Sequence, residues 1–283
     1  MKMQLDCMPC FLRQALEASR IVTDDLRLQT EVLKEALKII GNFETYRYAP
    51  EVGREVHGLV KRLTGVADPY RQIKQNNWKL AERYYPEVKQ YLWGKGGKLD
   101  WALKIAAVGN NLDAAIYQEV TDVKLFEREL AKEFTVSDLN RWEERMKTAK
   151  RLLIIGDNAG ETVFDRILIE HMLHLDVTYA VRNAPIINDA TIEDALAARL
   201  DRHARIIASG CDAPGLILDE CNAEFLEAYQ QADLVLSKGQ GNYETLSETV
   251  DREIFFLLKA KCPVIASDLK VDVGAYIFKA VGG

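Results

Sequence analysis

Asp157, Asn158 and Asp189 supply two carboxylates and an amide oxygen. This is the hard donor set that Mg²⁺ or Mn²⁺ prefers, and Co²⁺ or Ni²⁺ can also use it. An ion held there, with waters completing an octahedron, could polarise a phosphate and activate a water. Lys238 stands in Ser237-Lys238-Gly239-Gln240-Gly241-Asn242. A point charge among glycines suits an anion, because backbone N–H groups can approach it as well. Helix N-termini expected after Gly160 and after Gly241 add positive potential for a phosphate. Taken singly, each loop also reads as turn and cap chemistry, in which Asp, Asn and Gly are ordinary. Asp189 could cap a helix at Ala190, and Glu161 could simply favour a helix N-terminus. Their joint placement is what favours a phosphoryl site.

The elements that must position these residues are short strands alternating with helices from residue 151 onward. Arg151–Ile155 is a short apolar run ending at Gly156, as a buried parallel strand should. Val177–Val181, Ala204–Ala208, Leu234–Leu236, Ile254–Leu258 and Ala275–Phe278 are further strand candidates, with helices expected over Thr162–Leu173, Ala190–Leu200 and Ala223–Gln231. The pattern predicts an α/β fold, a Rossmann-like three-layer α/β/α domain over 151–283. Ligands of open parallel sheets bind beyond the carboxyl ends of the strands. The polar clusters fall there: Gly156–Glu161, Arg182–Asp189, Ser209–Gly215 and Ser237–Glu244. Residues 1–150 read as an all-α helical domain. Leu26, Leu33, Leu37 and Ile40 have the spacing of one helical face. Asp68-Pro69 is a helix start signal, and Gly41, Gly65 and Gly94–Gly97 mark helix ends. A helix is expected over Leu99–Val108, and a last one, capped by Ser137, through Trp142 to Lys150.

Charge narrows the function classes. The 283 residues carry 37 basic and 43 acidic side chains, a net charge of −6, which disfavours a nucleic-acid or membrane-surface binder. No apolar run approaches a membrane span and the first residues form no signal peptide, so the expected compartment is the cytoplasm. Four histidines argue against a histidine-rich zinc site and toward oxygen ligands.

The order Asp157-Asn158-x-Gly160-Glu161, then Pro185-x-x-Asn188-Asp189, then Lys238-Gly-Gln-Gly-Asn242-x-Glu-x-Leu246 resembles the DUF89 family, the ARMT1-like damage-control phosphatases. Cys7-x-x-Cys10, Gly109-Asn110 and Lys261-Cys262 match its prokaryotic branch, so the resemblance spans nearly the whole chain. It implies a helical domain packed on a Rossmann-like domain, and a metal-dependent phosphatase of small phosphorylated metabolites, often sugar phosphates. It places the metal on Asp157, Asn158 and Asp189, and substrate phosphate near Lys238 and Lys261. Gly239, Asn242, Ser209, Gly210, Arg182 and Glu161 complete the candidate phosphate-binding set. The eukaryotic branch carries Arg-Thr-x-Lys where this chain has Leu258-Lys259-Ala260-Lys261, of which only the final lysine is shared. Members have also been called carboxyl methyltransferases, but no residue here supports a methyl-donor site. The expected chemistry is hydrolysis at phosphorus, by water in preference to a phosphorylated Asp157. The alternative class is a non-catalytic phosphometabolite-binding or redox/metal-sensing protein.

Cys7 and Cys10 have the spacing of a redox couple or half a second metal site, with Cys262 as the third thiol; small buried hydrophobes are the plainer reading. His171 and His174 lie at the far end of a helix from the expected active edge, which makes them structural or surface residues. The aromatic stretch Trp78 to Trp93 reads as a packing face. Gly109–Asp113 either ends a helix or faces the cleft.

Overall fold

A computed structural model describes residues 1–109 and 123–283. Helices α1 (Cys7–Val22), α2 (Leu26–Gly41) and α3 (Ala49–Thr64) open the chain, followed by the long α4 (Arg71–Gly94) and α5 (Leu99–Val108). Next come α6 (Val123–Leu130), a short strand β1 (Phe134–Ser137) and α7 (Leu139–Met146). Strand and helix then alternate: β2 (Arg151–Ile155), α8 (Thr162–Glu170), β3 (Asp176–Val181), α9 (Ile192–Ala197) and β4 (Arg205–Ala208). The remainder is α10 (Ala223–Gln231), β5 (Leu234–Lys238), α11 (Gln240–Leu246), β6 (Ile254–Lys259), α12 (Pro263–Leu269) and β7 (Tyr276–Val281).

The described strands form one sheet in the order β1-β7-β6-β5-β2-β3-β4. Strands β2 to β6 are parallel, β7 is antiparallel to β6, and β1 is parallel to β7. Alternate residues of the central strands face opposite cores, as the period of two requires. Leu152, Ile154, Leu236 and Phe255 pack with α4, α5, α7 and α8. Leu153, Ile155, Val235 and Phe256 pack with α10, α11 and α12. The result is the expected α/β architecture, with a helical region contributed by the first part of the chain.

Several local expectations are corrected. The α2 face predicted from Leu26, Leu33, Leu37 and Ile40 is rotated: Leu26 is 74% and Leu37 54% exposed, while Gln29, Val32, Ala36 and Ile40 are buried. Ala36 and Val32 meet Ala15 and Ala18 of α1 in one tight cluster, and short side chains let the helices approach closely there. Residues 134–137, inside the stretch read as helical, form β1 by pairing with β7, 142 residues away at Phe134–Tyr276. Ser137 therefore ends a strand. The following Asp138 accepts a hydrogen bond from Ala280 N (2.7 Å) while Trp142 sits fully buried against Phe255 and Phe278. Asp68 does not cap α4 but closes a turn onto Tyr70 N (3.1 Å) and pairs with Lys74 (3.0 Å).

Candidate active site

The strand order reverses between β2 and β5, because the chain runs outward through β3 and β4 before crossing back. A ligand crevice forms at such a switch point. Asp157 follows β2 there, and Lys238 ends β5. Gly239 has φ +82°, and a Cβ on it would lie 2.0 Å from Asp157 Oδ2. Only glycine lets the Asp157 carboxylate rest on this turn.

The loops after β2 and β3 are stitched to each other. Ala190 N donates to Asp157 O (2.8 Å) and Ala159 N to Asn188 O (2.9 Å), forming an isolated antiparallel bridge that sets Asn158 opposite Asp189. Asp189 is not a helix cap. Thr191 takes that position in a capping box with Asp194, so Asp189 is free of that duty. Asn158 donates its amide hydrogens to Asp157 Oδ2 (3.2 Å) and Glu161 Oε1 (2.8 Å). Arg182 Nε donates to Asp189 Oδ2 (2.7 Å) and leaves the other oxygen outside that pair. All three candidate ligands are buried.

Lys238 is not the solitary cation its glycine-rich setting suggests. It is fully buried, with Nζ bonded to Glu161 Oε2 (2.8 Å) and Asp165 Oδ1 (2.5 Å), and Tyr179 Oη donates to Asp165 Oδ2 (2.6 Å). Burial would lower the lysine pKa, but Asp165 and Glu161 reverse this and hold it above its ordinary value. Burial, reinforced by Asp157 and Asp165 against the pull of Lys238, pushes Glu161 up to about 8. Burial, offset in part by Arg182, raises Asp189 to about 6. Asp157 contributes to both shifts.

The sequence did not point to Asp165 or Tyr179. One signal was present for Asp165: it stands four residues after Glu161, one turn along the same helical face, so both carboxylates reach a common cation. Tyr179 is an inward-facing residue of β3 and carried no such signal.

The remaining candidates divide. Arg182, on Asp189, lies within the cluster, and Lys261, which is exposed, is among the charges that lower the Asp189 pKa. Asn242 is completely buried and accepts from Arg182 Nη2 (2.9 Å) and Leu216 N (2.9 Å). Its amide donates to Gly156 O (3.1 Å) and Lys238 O (2.7 Å), which ties the β2 and β5 loops together. Ser209 Oγ turns to Cys211 O (3.3 Å), and Gly210 closes against Asn222, where a Cβ would meet the backbone at 2.5 Å. Gly109 abuts Phe164; Asn110–Asp113 lie outside the described residues. His171 bonds the carbonyls of Ile167 (2.8 Å) and Gly97 (3.1 Å), a structural pin as expected, and His174 is exposed. A shallow polar depression between Arg151, Asp176, Arg205 and Glu224 lies at the amino ends of β2 to β4, the wrong edge for this chemistry.

Cys7, Cys10 and Cys262 are all free and partly exposed, whereas Cys211 is buried. Burial pushes the Cys7 thiol up, with Glu244, Cys262 and Cys10 adding to the effect. Gln240 Nε2 donates to Cys262 Sγ (3.5 Å) and its Oε1 accepts from Lys261 N (3.0 Å), placing this third thiol beside α11. Among the described residues no three His, Cys, Asp or Glu side chains converge on one ion position. An oxygen site here therefore depends on Asn158 joining Asp157 and Asp189. The donor chemistry fits a hard divalent cation, whose charge would offset the cost of crowding buried carboxylates that the raised Glu161 and Asp189 values record.

Relatives of the whole chain agree in length and fold. It is 34% identical over 284 residues to a damage-control phosphatase of Pyrococcus horikoshii, covering 98% of this chain and 97% of that protein. A damage-control phosphatase of Archaeoglobus fulgidus is 33% identical, with 99% and 100% covered. The crystal structure of a DUF89 family protein from Pyrococcus horikoshii matches with a TM-score of 0.89 at 33% identity, covering 98% of both chains. The damage-control phosphatase ARMT1-like domain matches residues 3–277. With its switch-point loops and its length both accounted for, the chain belongs to the ARMT1-like damage-control phosphatase family, DUF89.

Proposed function

We propose that this chain is a metal-dependent phosphatase hydrolysing small phosphate monoesters, sugar phosphates among them, in the cytoplasm. The supporting observation is the Asn158–Asp189 bridge, which sets the loop carrying Asp157 and Asn158 against the loop carrying Asp189 at the switch point of the sheet. Asp157, Asn158 and Asp189 would hold Mg²⁺ or Mn²⁺. Such a cation supplies Lewis acidity to a phosphoryl oxygen and makes water more acidic.

The protein's own groups do the positioning. Arg182 fixes one oxygen of Asp189, so the carboxylate cannot rotate away from Asn158. Asn158 is oriented by Asp157 and Glu161. Lys238 balances Glu161 and Asp165, and its remaining N–H is the one available to a phosphate oxygen. Lys261 is the exposed cation at the rim and is suited to drawing in an anionic substrate. Phosphoryl transfer asks chiefly for positioning and charge stabilisation, which this inventory provides.

A phosphate-release assay on sugar and aryl phosphates with Mg²⁺, Mn²⁺, Co²⁺ and Ni²⁺ tests the reading. Metal-dependent release should vanish in Asp157→Asn and Asp189→Asn. Release that survives both substitutions would sink the assignment. Tight ligand binding without turnover under any metal would instead indicate a binding protein.

A further inference from the structure

The loop that carries Asn188 and Asp189 is strained and is held from outside. Asp189 N donates to Ile186 O (3.0 Å), which closes a four-residue turn. Its first central residue is Ile187, with φ 45°. A positive φ at that position favours glycine, and for a β-branched residue it is a strained outlier. A conformation of this kind persists only when its surroundings impose it. On one side the imposition is the pair of backbone bonds to residues 157 and 159. On the other it comes from the helical region: Lys61 of α3, 124 residues earlier, donates its ammonium hydrogen to Pro185 O, the carbonyl just before the turn.

We infer that Lys61 is a positioning residue, clamping the Pro185–Asp189 turn in the geometry that sets Asp189 against Asn158, so that α3 controls divalent-metal affinity. The inference rests on the metal assignment made above. Lys61 is not in contact with the candidate ligands; it acts through the backbone. Its ammonium is half-buried and close enough to Asp68 and Asp212 to feel both charges. The clamp therefore belongs to the packed interface and is not a loose surface contact. Without it the turn can relax toward negative φ at Ile187, which would carry Asn188 and Asp189 off the bridge to residues 157–159.

The test is calorimetric titration of Mn²⁺ into the metal-free full chain, with thermal melts of the same samples. Outer partners that orient ligands typically govern metal affinity by about 10–100-fold, so Lys61→Met should weaken Mn²⁺ binding by about tenfold or more. Lys61→Arg, which keeps a cationic donor, should stay within about threefold of the wild type on the same scale. Ile187→Gly, which removes the strain the clamp opposes, should by itself bind Mn²⁺ within about threefold of the wild type and should restore most of the affinity when added to Lys61→Met; the double variant also guards against a Lys61→Met protein that does not fold. Unchanged Mn²⁺ affinity in Lys61→Met, or a loss that Ile187→Gly does not restore, overturns the clamp. A wild type that binds no divalent cation overturns the metal assignment instead, and the two failures are distinguishable.

Discussion

At the scale of single residues, burial decides what each charged group can do. Lys238 was legible in the sequence as an anion-seeking lysine, but its pairing with Glu161 and Asp165 was not, since they stand 77 and 73 residues earlier in the chain. Removing one partner of a buried ion cluster leaves uncompensated charge, at a cost of about 3–5 kcal/mol. Lys238→Met should therefore lower stability by about that amount in urea melts without any ligand; a lysine reserved for substrate would leave the melt unmoved. Gly239→Ala should abolish activity, because its Cβ would fall on the Asp157 carboxylate; near-normal phosphate release from it would contradict the described turn. His57, buried in the helical core against Tyr70, has a pKa pushed down to about 4 by burial and by Lys61. As pH falls below the unfolded value near 6.5, the unfolded chain takes up a proton that the folded chain refuses. Stability should then decline by roughly 3 kcal/mol between about pH 6.5 and 4 and level off below. Urea melts across that range check it, and His57→Phe should remove this part of the slope.

At the scale of elements, what the sequence showed and what it hid divide along local and non-local lines. The strands at 151–155, 254–259 and their neighbours were legible because apolar runs end in glycine or polar loops. The loops were legible because their residue types are costly to assemble by chance at one sheet edge. Strand β1 was not legible. Phe134–Ser137 is four residues long, and its pairing with β7 is written nowhere near it. The rotated face of α2 was hidden for a related reason: which stripe is buried depends on the alanines of α1, not on where the leucines of α2 fall. Trp142 follows from β1, because the strand delivers α7 onto Phe255 and Phe278. Trp142→Ala should cost about 3–5 kcal/mol in chemical denaturation, and a loss under 1 kcal/mol would mean that α7 does not anchor to the sheet.

At the scale of the whole molecule, α4, α5 and α7 share one core with β2, β5, β6 and α8, so apolar contact runs across position 150 without a break. Ion pairs cross it too: Arg54 to Glu220, Arg47 to Asp219, Lys74 to Asp194 and Lys89 to Glu170. Of these, Arg47–Asp219 is exposed and contributes little, while the others are partly buried and Lys74 is buried; the shared core is the larger join between the regions. Calorimetry should show a single unfolding transition, and residues 151–283 produced alone should fail to melt cooperatively. The candidate site draws on both regions, through the loops of the sheet and through Lys61.

The placement of β1 has a bearing on the time course of folding. Residues 134–137 can find their sheet partner only once residues 276–281 have been synthesised, because β7 stands between β1 and every other strand. Until then α7 carries Trp142 without Phe278 to complete its site. Parallel pairings of such long sequence separation form slowly and leave apolar surface open meanwhile. The nascent chain is thus most at risk of aggregation through the side of the sheet that receives α7, and that side closes only after the switch-point strands β2 and β5 have already met.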